Sequence, residues 1–129
     1  MIKGIGIDSV EKSRVTKIFC KYGQKFQEKV LGPNEIHELS SKSGEHQKAR
    51  YLSNNFACKE AVSKALGLGF REGVSLKEIE VLRDKKGKPH VKLSGNTQKI
   101  SYELGMTNLH VTITDTEHTS TALVIGESI

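Results

Sequence analysis

The stretch Phe56–Gly69, FACKEAVSKALGLG, constrains the rest of the chain most. Ala57, Cys58, Ala61, Val62 and Ala65 recur at helical spacing, and Gly67 and Gly69 stop the run. A stripe of such small side chains lets a second element pack close against the helix. Glu60 and Lys64 fall on the opposite side, one turn apart, with Ser63 beside them. On spacing alone they read as a surface ion pair worth roughly 0.3–0.5 kcal/mol. The helix is predicted from about Ala49 to Leu66. Asn54 falls toward its apolar side, a poor fit in the first turns.

Upstream, Ile2–Asp8 alternates, with Ile5 and Ile7 on one face and Gly4 and Gly6 on the other. A short strand is predicted, whose glycines let another backbone or a ligand approach. Asp8 closes it, at the kind of strand end where ligand groups collect. Ser9 is the expected cap of a helix reaching about Tyr22. Val15, Ile18, Phe19 and Tyr22 form the apolar face of that helix, and Gly23 ends it. Arg14, Lys17 and Lys21 make a basic stripe on another face, with Lys25 just beyond and no acid interleaved. A short helix over 26–31 and another from Pro33 to about Ser40 follow. The polar run 40–46 is expected to be a mobile loop.

Downstream, residues 74–93 read as a hairpin, with strands Leu76–Leu82 and His90–Leu93 and a lysine-rich turn between them. Ser94 is the expected cap of a helix over Gly95–Leu104. A second hairpin pairs Asn108–Thr114, alternating Leu109, Val111 and Ile113, with Thr119–Ile125, alternating Thr121, Leu123 and Ile125. No repeat or linker interrupts the chain, so one α+β domain over 1–129 is expected.

The 129 residues are 36% hydrophobic and carry a net charge of +5, which favours anionic partners and suggests apolar surface shared with another subunit. Three Tyr, four Phe and no Trp give few platforms for stacking single-stranded nucleic acid. Cys20 and Cys58 have no metal-ligand spacing and make no disulfide framework, which suits a reducing compartment. No apolar run reaches the roughly 18 residues of a membrane span. The start, MIKGIGID, lacks the apolar segment of a secretion signal, so the cytoplasm is expected.

No phosphate-loop motif is present, Gly4 and Gly6 lack the third glycine of a dinucleotide fingerprint, and no nucleophile with a paired base stands out. The chemistry on offer is carboxylate chemistry. If Asp8 and Glu60 meet, they supply the one or two hard oxygen ligands that magnesium takes alongside phosphates and water. Lys64 then lies one turn from the metal, within reach of a phosphate.

GIGIDSVEKSRV at 4–15, VLGPNE at 30–35, FACKEAVSKALGLGF at 56–70, GKPHV at 87–91 and HVTITD at 110–115 together resemble the bacterial holo-acyl-carrier-protein synthases, the small 4'-phosphopantetheinyl transferases. Their order and spacing cover nearly the whole chain. The resemblance implies an α+β fold with a small antiparallel sheet packed against a long helix, assembling as a homotrimer with active sites between protomers. It also implies transfer of the 4'-phosphopantetheine arm of coenzyme A to a serine of apo-acyl carrier protein, in support of fatty acid biosynthesis. The metal ligands map onto Asp8 and Glu60, holding Mg2+. Coenzyme A contacts map onto Lys64, Gly67, Pro89, His110 and Thr112. Arg14, Lys17, Lys21 and Lys25 then face an acidic carrier protein.

Two positions depart from the family pattern. Asn55 stands where an arginine is common, which suggests a weakened phosphate or carrier-protein contact, and Asp115 stands where many members have histidine. Two rivals are a basic nucleic-acid-binding α+β module without enzymatic activity and a broad-specificity phosphopantetheinyl transferase, the latter usually about twice as long.

Overall fold

A computed structural model describes residues 1–69 and 72–129; Phe70, the last residue of the 56–70 motif, lies outside the described residues. Strand β1 spans Ile2–Glu11. Helices α1 (Lys12–Tyr22), α2 (Gln24–Val30), α3 (Pro33–Ser40) and the long α4 (Gly44–Leu66) follow. A 3-10 turn over Leu76–Glu78 leads into β2 (Ile79–Arg83) and β3 (Pro89–Leu93). Helix α5 (Gly95–Glu103) precedes β4 (Asn108–Asp115) and β5 (Thr119–Glu127). The strands form an antiparallel sheet in the order β1-β5-β4 and a separate β2-β3 hairpin.

The small-residue stripe of α4 and the glycines of β1 meet each other. A Cβ at Gly6 would sit 1.9 Å from the carbonyl oxygen of Ala61, and one at Gly4 would sit 2.2 Å from that of Ala65. No side chain fits between strand and helix there, so the two backbones touch directly. Ala57, Cys58, Ala61 and Val62 are fully buried in this layer with Ile79, Val81, Ala122 and Val124. A second core, with Val15, Leu31, Leu39, Tyr51 and Leu52, joins α1–α3 to the first half of α4.

The register places Gly4, Gly6 and Asp8 opposite Gly126, Val124 and Ala122, on the side facing α4. In β5, Thr121, Leu123 and Ile125 lie on the outer face, and Ala122 and Val124 are buried. The outer face carries Ile5 and Ile7, 65% and 59% exposed. His110 and Thr112 of β4 align with Ile125 and Leu123 on that same outer face.

Several local expectations are revised. Strand β1 runs three residues past Asp8, because it pairs with β5 as far as Glu11–Thr119. Ser9 therefore lies in the strand and bonds the Thr121 hydroxyl at 2.8 Å, and α1 starts from Glu11 without a side-chain cap. Helix α4 begins at Gly44, so residues 44–46 of the expected loop are its solvated first turn, anchored by buried Tyr51 and Leu52 farther along, and only 41–43 link it to α3. Glu45 in that turn suits the positive helix end. Ser63 is buried and donates to the Leu68 carbonyl rather than facing solvent. Asn54 accepts a 2.5 Å bond from the Ser120 hydroxyl, which reconciles it with the apolar side of α4. The start of α5 is capped not by Ser94 but by Glu78, whose carboxylate accepts from the backbone N–H of Asn96 and Thr97.

Under α4 lies a buried ion pair that sequence reasoning missed. The Lys59 ammonium donates to Glu35 Oε1 at 2.6 Å and to the carbonyls of Leu76 and Ile79, and both side chains are 0% exposed. Glu35 also accepts from the Gly32 and Val81 N–H groups and the Asn55 amide. Burial pushes the Glu35 carboxyl up and the Lys59 ammonium down, and each opposes the shift of the other. The donors and acceptors around the pair favour its ionised form. It ties α3, α4 and β2 together. Among the described residues, no helix is long and apolar enough to cross a membrane.

Candidate functional site

Asp8 follows Gly4 and Gly6 along the side of β1 that faces α4. The close strand–helix approach at the glycines therefore carries its carboxylate to α4, one residue pair beyond the contact at Ala61. Glu60 and Lys64 project from α4 at this edge. The Lys64 ammonium donates to Asp8 Oδ1 at 3.0 Å and to the Ile7 carbonyl at 3.1 Å. The intrahelical Glu60–Lys64 salt bridge suggested by spacing is absent among the described residues; Lys64 reaches across to the strand instead. Glu60 is half-buried, and its carboxyl is raised by desolvation and then by the charge of Asp8, with Lys64 opposing. Asp8 and Glu60 line one cleft.

The two carboxylates open onto a cleft of about 460 Å³. Val15, Ile18, Phe26 and Phe56 form its apolar wall, and Glu11 and Arg14 join Asp8 and Glu60 on its polar side. Among the described residues, no group of three or more His, Cys, Asp or Glu side chains is placed to hold a metal ion. The pair offers two hard oxygen donors and negative charge that Lys64 offsets only in part, with further ligands to come from water or substrate. That matches the way magnesium is bound beside phosphates.

Arg14, Lys17, Lys21 and Lys25 are all exposed, and Arg14 stands at the cleft itself. The basic stripe therefore leads to the site. Gly67, Pro89, His110 and Thr112 do not line the cleft. Gly67 ends α4 in a left-handed conformation (φ 72°), and Pro89 opens β3. His110 contacts Glu127 at 2.9 Å on the outer sheet face, away from Asp8.

A second groove, of about 530 Å³, was not foreseen. Lys42, Arg50, Arg83 and Lys85 gather there around Tyr51. The Lys42 ammonium and the Arg83 guanidinium each lie 5.5 Å from the Tyr51 ring centre. These cations are far apart in sequence and converge only through the packing of α4 on β2, so no local motif marks them. Asp115 orients Arg50 through contacts of 2.7 and 3.2 Å and binds Lys12 at 2.8 Å. Hydrogen bonds from Arg50 and Lys12 hold its carboxyl down at about 2. Its role is that of an anchored anion. Asn55 is fully buried, bonded to Glu35, Val81 and Arg83. Its side chain is turned into this buried network and away from the surface. The cation beside it comes from Arg83.

Residues 4–122 match the model of the 4'-phosphopantetheinyl transferase superfamily. The holo-[acyl-carrier-protein] synthase of Escherichia fergusonii is 39% identical over 127 residues, 98% of each chain. The crystal structure of the holo-[acyl-carrier-protein] synthase from Neisseria meningitidis superposes with a TM-score of 0.89 at 34% identity, covering 99% of this chain and 100% of that one. The Bacillus anthracis holo-(acyl-carrier-protein) synthase in complex with CoA (3',5'-ADP) gives a TM-score of 0.83 at 33% identity, covering 100% and 99%.

Proposed function

The chain belongs to the 4'-phosphopantetheinyl transferase superfamily, and from that premise we propose that Asp8 and Glu60 hold one magnesium ion beside the pyrophosphate of coenzyme A. The protein is a transferase. It moves the 4'-phosphopantetheine moiety of coenzyme A to a serine of apo-acyl carrier protein, giving holo-acyl carrier protein and adenosine 3',5'-bisphosphate. The nucleic-acid reading of its basic surface is not favoured by these relatives. The observation that carries the site assignment is the convergence of Asp8 and Glu60 on one cleft, with Lys64 bonded to Asp8 across strand and helix.

Phosphoryl transfer asks a protein chiefly for positioning and for neutralising charge. A divalent cation held by Asp8 and Glu60 would supply Lewis-acid neutralisation of the pyrophosphate charge. Lys64 donates to oxygens of the departing bisphosphate. The groove of Lys42, Arg50 and Arg83 suits the remaining phosphate of the donor.

His110 and Thr112 face away from Asp8 within one protomer, so they reach coenzyme A from a neighbouring one. Gly67 and Pro89 complete the proposed coenzyme A contacts. Ile5 and Ile7, exposed on the same outer face as His110, give an apolar surface for that assembly. These features support a homotrimer of single-domain chains, 1–129, with shared sites. Two free cysteines fit a cytoplasmic setting.

The cation assignment is tested by metal removal. A chelator is expected to stop coenzyme A turnover, and added magnesium to restore it. Turnover that persists in chelator would overturn the assignment. The carrier-protein surface has its own test. Arg14→Glu is expected to raise the KM for carrier protein several-fold at low salt, with little change in coenzyme A binding, because rim charges act mainly through association. An unchanged KM would remove Arg14 from that surface.

A further inference from the structure

We propose that Lys64 is a built-in counter-ion for the metal site, exchanging Asp8 for donor phosphate when the metal enters, so that metal and coenzyme A each tighten the binding of the other. The proposal rests on the assignment of Asp8 and Glu60 as the cation site and adds a second position for Lys64.

The geometry points to this exchange. Lys64 stands one helical turn after Glu60, where a simple intrahelical pair was expected. Its ammonium instead crosses to β1 and takes Asp8 Oδ1 and the Ile7 carbonyl as partners, at 3.0 and 3.1 Å. Glu60 is left without a salt bridge among the described residues, though it feels both neighbours. Without a metal, the site thus consists of two carboxylates lining one cleft and one cation, with the cation bonded to the strand carboxylate.

A divalent ion bound through Asp8 draws on the carboxylate that Lys64 occupies. Two cations sharing one carboxylate repel each other, more strongly in a partly buried cleft than in water. Lys64 is free to leave: its side chain is 56% exposed, whereas that of Asp8 is 17% exposed. An exposed pair of this kind is weak, so separating Lys64 from Asp8 costs little. Once released, the ammonium on its flexible stem turns to the phosphate oxygens of the donor. The reverse also holds. Phosphate that draws Lys64 away strips Asp8 of its counter-charge and raises its affinity for a metal. Coupling of this kind is reciprocal by thermodynamic necessity.

The test is a titration of the full-length chain with Mn2+, following free ion by electron paramagnetic resonance. It is run without and with coenzyme A, and without carrier protein so that no turnover occurs. Lys64→Met is expected to bind Mn2+ alone about two- to tenfold tighter than the parent, the range of a partly exposed charge contact. Coenzyme A is expected to tighten Mn2+ binding by about fivefold or more in the parent and to have much less effect in Lys64→Met. Lys64→Arg keeps the charge and is expected to stay near the parent. Lys64→Met binding Mn2+ alone no tighter than the parent, while Asp8→Asn binds it weakly, overturns the exchange and leaves the cation site standing. Asp8→Asn binding Mn2+ as well as the parent overturns the cation site itself.

Discussion

Glu60→Gln is expected to lower kcat/KM for apo-acyl carrier protein by about 10²–10³-fold, the scale seen when one preorganised electrostatic contact to a transition state is lost. The amide keeps the size of the side chain but gives up the charge that faces Asp8. Folding is expected to survive the change, and stability gives an independent readout. The Glu60 carboxyl is raised in the folded chain by desolvation and by Asp8. A carboxyl raised on folding binds more protons in the native state, so its ionisation costs stability as the pH rises from its ordinary value through the folded one. At neutral pH in chelator, Glu60→Gln is therefore expected to melt no lower than the parent. A variant that loses activity without losing stability separates a site residue from a structural one. Full activity at limiting magnesium would remove Glu60 from the site.

Lys59→Met, one residue away, is expected to do the opposite. It leaves the Glu35 carboxylate buried without its cation, and breaking one side of a buried pair costs about 3–5 kcal/mol. Total stabilities of domains are about 5–15 kcal/mol, so much of the margin disappears. Lys59→Met combined with Glu35→Gln removes the unpaired charge and is expected to recover part of the loss. Urea unfolding of the three chains at neutral pH measures both effects. A cost below about 1 kcal/mol for Lys59→Met would mean that the pair does not carry the junction of α3, α4 and β2.

The contrast between Lys59 and Glu60 shows what the sequence can express. Both are charged residues in one helical turn, and a linear reading treats them alike. The glycines of β1 and the small stripe of α4 were legible because each demands a close-packed neighbour, and each is the other's neighbour. Their contact carries Asp8 toward α4 and onto the cleft that Glu60 lines, a convergence that the family resemblance implies and residue size alone does not. Lys59 gave no sign, because its partners are a glutamate and two carbonyls from elements that only tertiary packing brings under the helix. The face of β5 was not legible for a related reason. Leu123 and Ile125 are the larger apolar residues, but the glycine side of β1 dictates which side of the sheet meets α4. The groove around Tyr51 stayed invisible because its cations come from separate elements. The spacing of α4 suggested Glu60 as the ion-pair partner of Lys64, but the ammonium reaches Asp8, since helical spacing says nothing of a strand passing alongside.

The central claim is the reaction, and the most direct measurement is the intact mass of apo-acyl carrier protein after incubation with this chain, coenzyme A and magnesium. A gain of roughly 340 Da, the mass of one phosphopantetheine arm carried by the donor cofactor, is the expected result. It should be absent when the serine of the carrier protein is replaced by alanine. An unchanged carrier-protein mass, from a folded chain that binds coenzyme A, would contradict the account.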